Sequence, residues 1–219
     1  MNPKTAALAG ATGLVGSQLL QGLLDDPAYG TVRVLVRHPF ALQHPKLQVR
    51  LVDFADADSL LLALDGSDVV FCAVGTTQKK VRGDQAAYRR VDYEIPLRLA
   101  RLCREVGAPC FVLVSAMGAN PRSRNFYLRL KGETEEAIRG QGPAQIHILR
   151  PSVLLGRRAE RRPLERLSQG LLRILGPLLP AGYRAIRARD VARAMQAAAA
   201  REQPGFHIYT YREMKELTA

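Results

Sequence analysis

Seven residues near the amino terminus, Gly10-Ala11-Thr12-Gly13-Leu14-Val15-Gly16, limit what this chain can fold into. They follow the apolar run Thr5 to Ala9 and lead into the apolar-periodic run Leu14 to Leu24. A strand, a glycine-rich turn and a helix start in that order build an anion site. The missing side chains let backbone approach a pyrophosphate, and the free N–H groups of the first helical turn point at it. The spacing is GxxGxxG rather than GxGxxG, so the weight of the signal lies in its position after the first strand. The alternative is a turn that merely packs helix on strand. The reading is a dinucleotide site built from Gly10, Thr12, Gly13, Leu14, Val15 and Gly16.

The rest of the chain repeats this rhythm. Short apolar runs lie near Thr5–Ala9, Val32–Val36, Leu47–Val52, Val69–Ala73, Phe111–Ser115, Ile146–Leu149 and Phe206–Tyr209. Most are continuous rather than alternating, as in strands buried on both faces. Helical patterns separate them over Leu14–Leu24, Asp58–Leu64, Asp84–Val106 and Asn125–Arg139, with Asp190 as N-cap of a helix over Val191–Ala200. Strand–helix alternation predicts one α/β domain over 1–219. Its centre is a Rossmann-type doubly wound parallel sheet of about seven strands with helices on both faces. Between residues 156 and 189 the rhythm breaks. Arg, Leu, Gly and Pro dominate, with an amphipathic helix expected from Pro163 to Leu175. An insertion at the carboxyl edge of such a sheet is where a small C-terminal substrate cap lies.

Composition narrows the classes further. The 219 residues carry a net charge of +12, and between Arg150 and Arg189 ten arginines face only Glu160 and Glu165. Such a surface is a solvated face, a cap selecting an anionic small-molecule substrate, or a site for nucleic acid or anionic lipid. Nucleic acid is not expected, because no aromatic interleaving accompanies the arginines. No apolar run approaches the roughly 18 residues that span a bilayer. With no signal-peptide h-region, the expected location is cytoplasmic. Cys72, Cys103 and Cys110 lie in apolar surroundings without metal-ligand spacing, so they are expected as reduced core residues and no metal is expected.

Several residues at strand ends suit a nucleotide. Arg37 follows the second strand, where an acid would bind a ribose 2′-hydroxyl; a guanidinium matches a 2′-phosphate instead, which favours NADP over NAD. The alternative is a surface arginine paired with an acid. Asp53, followed by Phe54 after the third strand, either accepts the adenine amino group or caps the next helix. Ala73, Val74, Gly75, Thr76 and Thr77 end the fourth strand with residues small enough for a cofactor to pass close.

Tyr127 and Lys131, four apart in the helix after the fifth strand, share one helical face. An ammonium and an oxidised nicotinamide both favour the phenolate, making Tyr127 an acid or base near neutral pH. Ser115, at the end of the fifth strand, can donate to a substrate carbonyl. Spacing alone proves little, since Tyr211 and Lys215 repeat it near the C-terminus without a serine-tipped strand upstream.

Taken with Gly75-Thr76-Thr77, Val91-Asp92-Tyr93, Val114-Ser115 with Gly118-Ala119, Leu149-Arg150-Pro151 with Val153-Leu154-Leu155, and Asp190-Val191-Ala192, these motifs carry a resemblance. The chain resembles the short-chain dehydrogenase/reductase superfamily in its atypical NAD(P)-binding branch, and within it the HIV Tat-interactive protein subgroup. The likeness spans nearly the whole chain. It implies that Tyr127 exchanges the proton, that Lys131 holds the nicotinamide ribose, and that Ser115 polarises the carbonyl. It also implies that Arg150 and Pro151 sit beside the nicotinamide, with Val153 near its carboxamide. Asp92 stands where many members place an asparagine that supports a proton relay.

The expectation is therefore an NADP-dependent oxidoreductase acting on a small-molecule carbonyl or alcohol. The alternative is an NADP(H)-binding regulator without turnover. Oligomeric state is open between monomer and homodimer, because the long helices that pair in related dimers carry arginines here.

Overall fold

The apolar runs become strands and the periodic runs become helices. The structure, a computed structural model, describes residues 2–77, 81–155 and 184–219. In chain order the first half holds β1 (Lys4–Ala9), α1 (Leu14–Asp25), β2 (Tyr29–Val36), β3 (Leu47–Leu51), α2 (Ala57–Leu64) and β4 (Val69–Cys72). Next come α3 (Gln85–Arg89), a π-turn (Arg90–Glu94), α4 (Ile95–Glu105), β5 (Cys110–Val114), α5 (Phe126–Gln141) and β6 (Gln145–Leu149). The chain then forms β7 (Leu154–Leu155), β8 (Ile186–Arg187), α6 (Ala188–Ala200), β9 (Gly205–Tyr209) and α7 (Tyr211–Leu217).

One seven-stranded sheet runs β3-β2-β1-β4-β5-β6-β9, and every neighbouring pair is parallel. This is the expected Rossmann-like sheet. Strand order reverses between β1 and β4, so a crevice opens at their carboxyl ends. Side chains alternate across the sheet. Leu8, Val34, Phe71 and Val112 meet Leu19 and Leu23 of α1 and Met195 of α6. Ala7, Leu35, Val70 and Phe111 meet Leu60 of α2, Leu99 of α4 and Ile138 of α5 on the other face. Burial on both faces is why the strands read as unbroken apolar runs.

Four details differ from the sequence reading. The long helix expected over Asp84–Val106 is interrupted by the π-turn, and Pro96 supplies the reason. It has no N–H for the carbonyl four residues back, at Asp92, and its ring crowds that carbonyl. The Thr134 hydroxyl, 2.8 Å from the Leu130 carbonyl of its own helix, is shared with the Asp92 carbonyl at 3.2 Å. Secondly, α6 begins earlier than expected. Arg187 occupies the cap position and Asp190 lies in the first turn, where its charge suits the helix dipole. Thirdly, the C-terminal helix α7 is closed by a capping box, Thr210 with Glu213, a pattern present in the sequence. Finally, β7 and β8 form a separate two-stranded parallel pair beyond β6. The amphipathic helix expected at 163–175 and most of the 156–189 cap lie outside the described residues.

Candidate active site

The glycine turn meets the sheet where strand order reverses. Gly10 has φ +91°, and a Cβ there would lie 2.6 Å from the backbone of Ala73 at the end of β4. A Cβ on Gly16 would lie 2.0 Å from the Gly10 carbonyl oxygen. Both positions thus require glycine, and the turn is drawn tightly onto β4. Gly13 is the N-cap of α1 and offers no side-chain cap; no acidic residue occupies the first turn. The first-turn N–H groups are left for an anion. The donor set and the cradle that a Cβ would fill suit a dinucleotide pyrophosphate.

The other residues expected at a nucleotide lie in this turn or just past β2, β3 and β6. Thr12 is exposed and Leu14 half-buried, while Val15 anchors α1 in the core. Arg37 is exposed just past β2 and forms no ion pair among the described residues. Asp53 is exposed and accepts the Ala55 N–H at 2.8 Å, and the α2 cap falls to Asp56, which accepts from Asp58. The Phe54 ring is buried, and its carbonyl accepts from Arg98. Val153 is exposed and Pro151 buried.

Asn125 starts α5 by accepting the Leu128 N–H at 3.2 Å, which puts Tyr127 in the first turn. Lys131 follows one turn later. Its Nζ lies 5.9 Å from the centre of the Tyr127 ring and 2.8 Å from Oδ1 of Asp92, and both Lys131 and Asp92 are almost wholly buried. Oδ2 of Asp92 accepts the Thr76 N–H at 2.8 Å, so one carboxylate joins α5 to the loop after β4. Tyr88 of α3 closes the group. Its hydroxyl donates to the Thr76 carbonyl at 3.2 Å, and its ring meets that of Tyr127 edge-on at 6.2 Å. A continuous path of contacts therefore leads from Gly10 through Ala73 and Thr76 to Lys131 and Tyr127.

The electrostatics follow from burial. Burial pushes the Tyr127 phenol up; the Lys131 ammonium opposes this and Asp92 adds to it, so the net direction is upward. Burial pulls Lys131 down, but Asp92 holds its ammonium and raises it overall. The sequence led to expect a lowered phenol. The direction is the reverse because desolvation and the Asp92 charge together outweigh Lys131.

Ser115 and Arg150 are brought together elsewhere. The Ser115 hydroxyl donates to Glu135, and Arg150 grips the same carboxylate, with Nε 3.1 Å from Oε1 and Nη2 2.5 Å from Oε2. Glu135 is eight residues beyond Tyr127, so Tyr127, Lys131 and Glu135 form one ridge of α5. Sequence reasoning missed Glu135, Thr134 and Tyr88; the four-residue step past Lys131 was the available signal for Glu135. The hydroxyl expected to face a carbonyl thus has a buried acceptor, and the guanidinium expected beside the nicotinamide is anchored by that same acid.

The second Tyr–Lys pair differs. Lys215 is half-exposed and reaches Asp190 at 3.3 Å. Cys72, Cys103 and Cys110 are free and buried, and burial pushes the Cys72 thiol up to about 11 and Cys110 up to about 12. Among the described residues no helix is long and apolar enough to cross a membrane, and no group of three or more His, Cys, Asp or Glu could hold a metal.

Comparison with known proteins agrees with this geometry. The family model described as NAD(P)H-binding matches residues 10–202. Protein HTATIP2 of Rattus norvegicus is 32% identical over 198 residues, covering 89% of this chain and 81% of that protein. The mitochondrial protein fmp52 of Aspergillus fumigatus is 35% identical over 165 residues, covering 73% of this chain and 70% of that protein. Among solved structures, MoeE5 in complex with UDP-glucose and NAD has a TM-score of 0.73 at 19% identity, covering 98% of this chain and 81% of that one. The chain thus belongs to the NAD(P)H-binding family, in the atypical short-chain dehydrogenase/reductase-like group that includes HTATIP2 and Fmp52.

Proposed function

We propose that the protein is an NADP-dependent carbonyl reductase in which Tyr127 delivers the proton. The observation that carries this reading is the half-buried Tyr127 phenol beside the buried Lys131 ammonium, joined through Asp92 and Thr76 to the glycine turn. A bound reduced nicotinamide dinucleotide supplies a hydride. The turn from Gly10 to Gly16 holds its pyrophosphate, and Ala73 to Thr77 flank its path. Arg37, exposed and without an acidic partner among the described residues, suits a 2′-phosphate. Lys131 donates to the ribose hydroxyls and orients Tyr127. Tyr127 gives its proton to the carbonyl oxygen as the carbon becomes tetrahedral, and takes one back from water. Ser115, whose hydroxyl is held by Glu135, reaches a substrate only if it exchanges that acceptor.

The test combines binding with turnover. NADPH is expected to bind more tightly than NADH, followed by cofactor fluorescence, and Arg37→Ala is expected to erase that preference. In a carbonyl screen, Tyr127→Phe is expected to slow NADPH oxidation by roughly 10²–10⁴-fold while leaving cofactor affinity within a few fold. Absence of binding of either dinucleotide defeats the reading. The engaged Ser115 hydroxyl favours a second reading, a regulator that binds NADP(H) without turnover. Equal background oxidation by wild type and Tyr127→Phe, with NADPH still bound, selects it.

A further inference from the structure

A carboxylate at position 92 does something that an asparagine there does not. Two N–H donors converge on it, Lys131 Nζ on Oδ1 and Thr76 N on Oδ2, each at 2.8 Å. A carboxylate has an acceptor oxygen for each, whereas an amide turns an NH₂ toward one of them. The site is built for this residue. Pro96 opens the π-turn, the turn carries Asp92 inward until only 1% is exposed, and the Thr134 hydroxyl of α5 lies 3.2 Å from its carbonyl. Such turns inside helices are frequent at functional sites.

We propose that Asp92 is a positioning residue that fixes Lys131 and cancels its charge at Tyr127, so that Tyr127 stands as a neutral phenol and works as a proton donor. The inference rests on the reductive reading above and adds the residue that holds Tyr127 in its proton-donating form. In the step, hydride from a reduced nicotinamide dinucleotide forms the new C–H bond. The Tyr127 O–H bond breaks, its proton goes to the carbonyl oxygen, and water returns a proton to the phenolate.

The surroundings support the cancellation. Among the described residues, the charged groups that act on Tyr127 are Lys131 on its own helix and Asp92 on the π-turn, with opposite sign. Tyr88, from α3, faces the same ring and is neutral, because burial raises its phenol. Cys72, from β4, lies near Lys131 and Asp92 and is likewise neutral, because burial pushes its thiol up to about 11. With Asp92 opposing Lys131, desolvation is the largest influence on Tyr127, and it favours the uncharged phenol.

The experiment follows ¹³Cζ-labelled tyrosine by NMR through alkaline pH in the full chain. The Tyr127 resonance is identified by its loss in Tyr127→Phe. Wild type is expected to keep Tyr127 as phenol beyond pH ~10, the ordinary tyrosine value. In Asp92→Asn its midpoint is expected to fall by about one unit or more. An unmoved or raised midpoint overturns the proposal. Should Asp92→Asn not fold, the pair Asp92→Asn with Lys131→Met removes both charges. Two cancelling fields predict a midpoint within about half a unit of wild type, and a shift beyond about one unit overturns the proposal. In turnover, the alkaline limb of carbonyl reduction is expected to move toward neutral pH in Asp92→Asn. Failure of wild type to reduce any carbonyl counts against the reductive reading, while the titration still judges the Asp92 field.

Discussion

A single imidazole shows how burial converts into pH dependence. His147 of β6 is wholly buried; Nδ1 lies 3.0 Å from the Tyr209 hydroxyl, and Nε2 has no partner. Its ring stacks on that of His207 at 5.3 Å, opposite it in register on β9. Burial, with His207 and Arg201 adding to it, pulls its pKa from 6.5 to about 4. The folded protein therefore refuses a proton that the unfolded chain accepts. Stability from this group is complete above pH 6.5, erodes as pH falls toward about 4, and by then has lost about 3 kcal/mol. Urea unfolding of wild type and His147→Leu across this window is the measurement. The variant is expected to be less stable at pH 7 but to lose about 3 kcal/mol less between the two ends. Parallel curves would place the acid sensitivity elsewhere. The same desolvation raises Tyr127, whereas at Lys131 the Asp92 carboxylate overrides it.

Helix α5 joins the chemistry to the packing. Its inner ridge carries Tyr127, Lys131 and Glu135, and Gly132 lies beside that ridge under the loop after β5. A Cβ on Gly132 would fall 2.3 Å from the backbone of Asn120 and Pro121, whereas one on Gly140 meets nothing within 4 Å. Propensity alone assigns alanine about 1 kcal/mol over glycine at either position. At Gly132 the clash with rigid backbone outweighs it, because overpacking costs roughly 1–3 kcal/mol. Gly132→Ala is thus expected to destabilise, and Gly140→Ala to stabilise slightly, by chemical denaturation. Opposite signs from one substitution in one helix would separate packing from propensity. Such positions also mark where the sequence was legible. Strands buried on both faces announce themselves as apolar runs, and the Gly10 turn by its place between strand and helix. Tyr127 and Lys131 could be paired because helical spacing is local. The partners of Ser115 and Arg150 could not, because Glu135 reaches both only after β5, β6 and α5 pack. Asp92 was visible as a departure, but its role depends on the turn that Pro96 opens and on Thr76, sixteen residues upstream in the chain.

At the scale of the whole molecule, the sheet order sets where the proposed ligand would stabilise the protein. The crevice at β1 and β4 is formed by chain segments from opposite halves of the sheet, and a dinucleotide held as proposed would bridge α1, the end of β2 and the loop after β4. A ligand that binds only the folded state adds RT ln(1 + [L]/Kd), about 2.7 kcal/mol at a hundredfold excess over Kd. For a chain of 219 residues each kcal/mol moves Tm by roughly 2–4 °C, so NADPH is expected to raise Tm by about 5–10 °C. Gly10→Ala tests whether that gain comes through the turn. Its positive φ and its 2.6 Å approach to Ala73 leave a methyl no room, so the variant is expected to be less stable without ligand and to lose most of the NADPH shift. Arg37→Ala separates the two dinucleotides, because it touches neither the turn nor the core. It is expected to keep the unliganded Tm and the shift with NADH, and to lose only the excess shift with NADPH. If Arg37→Ala lowered both shifts equally, the 2′-phosphate would not be what this guanidinium recognises.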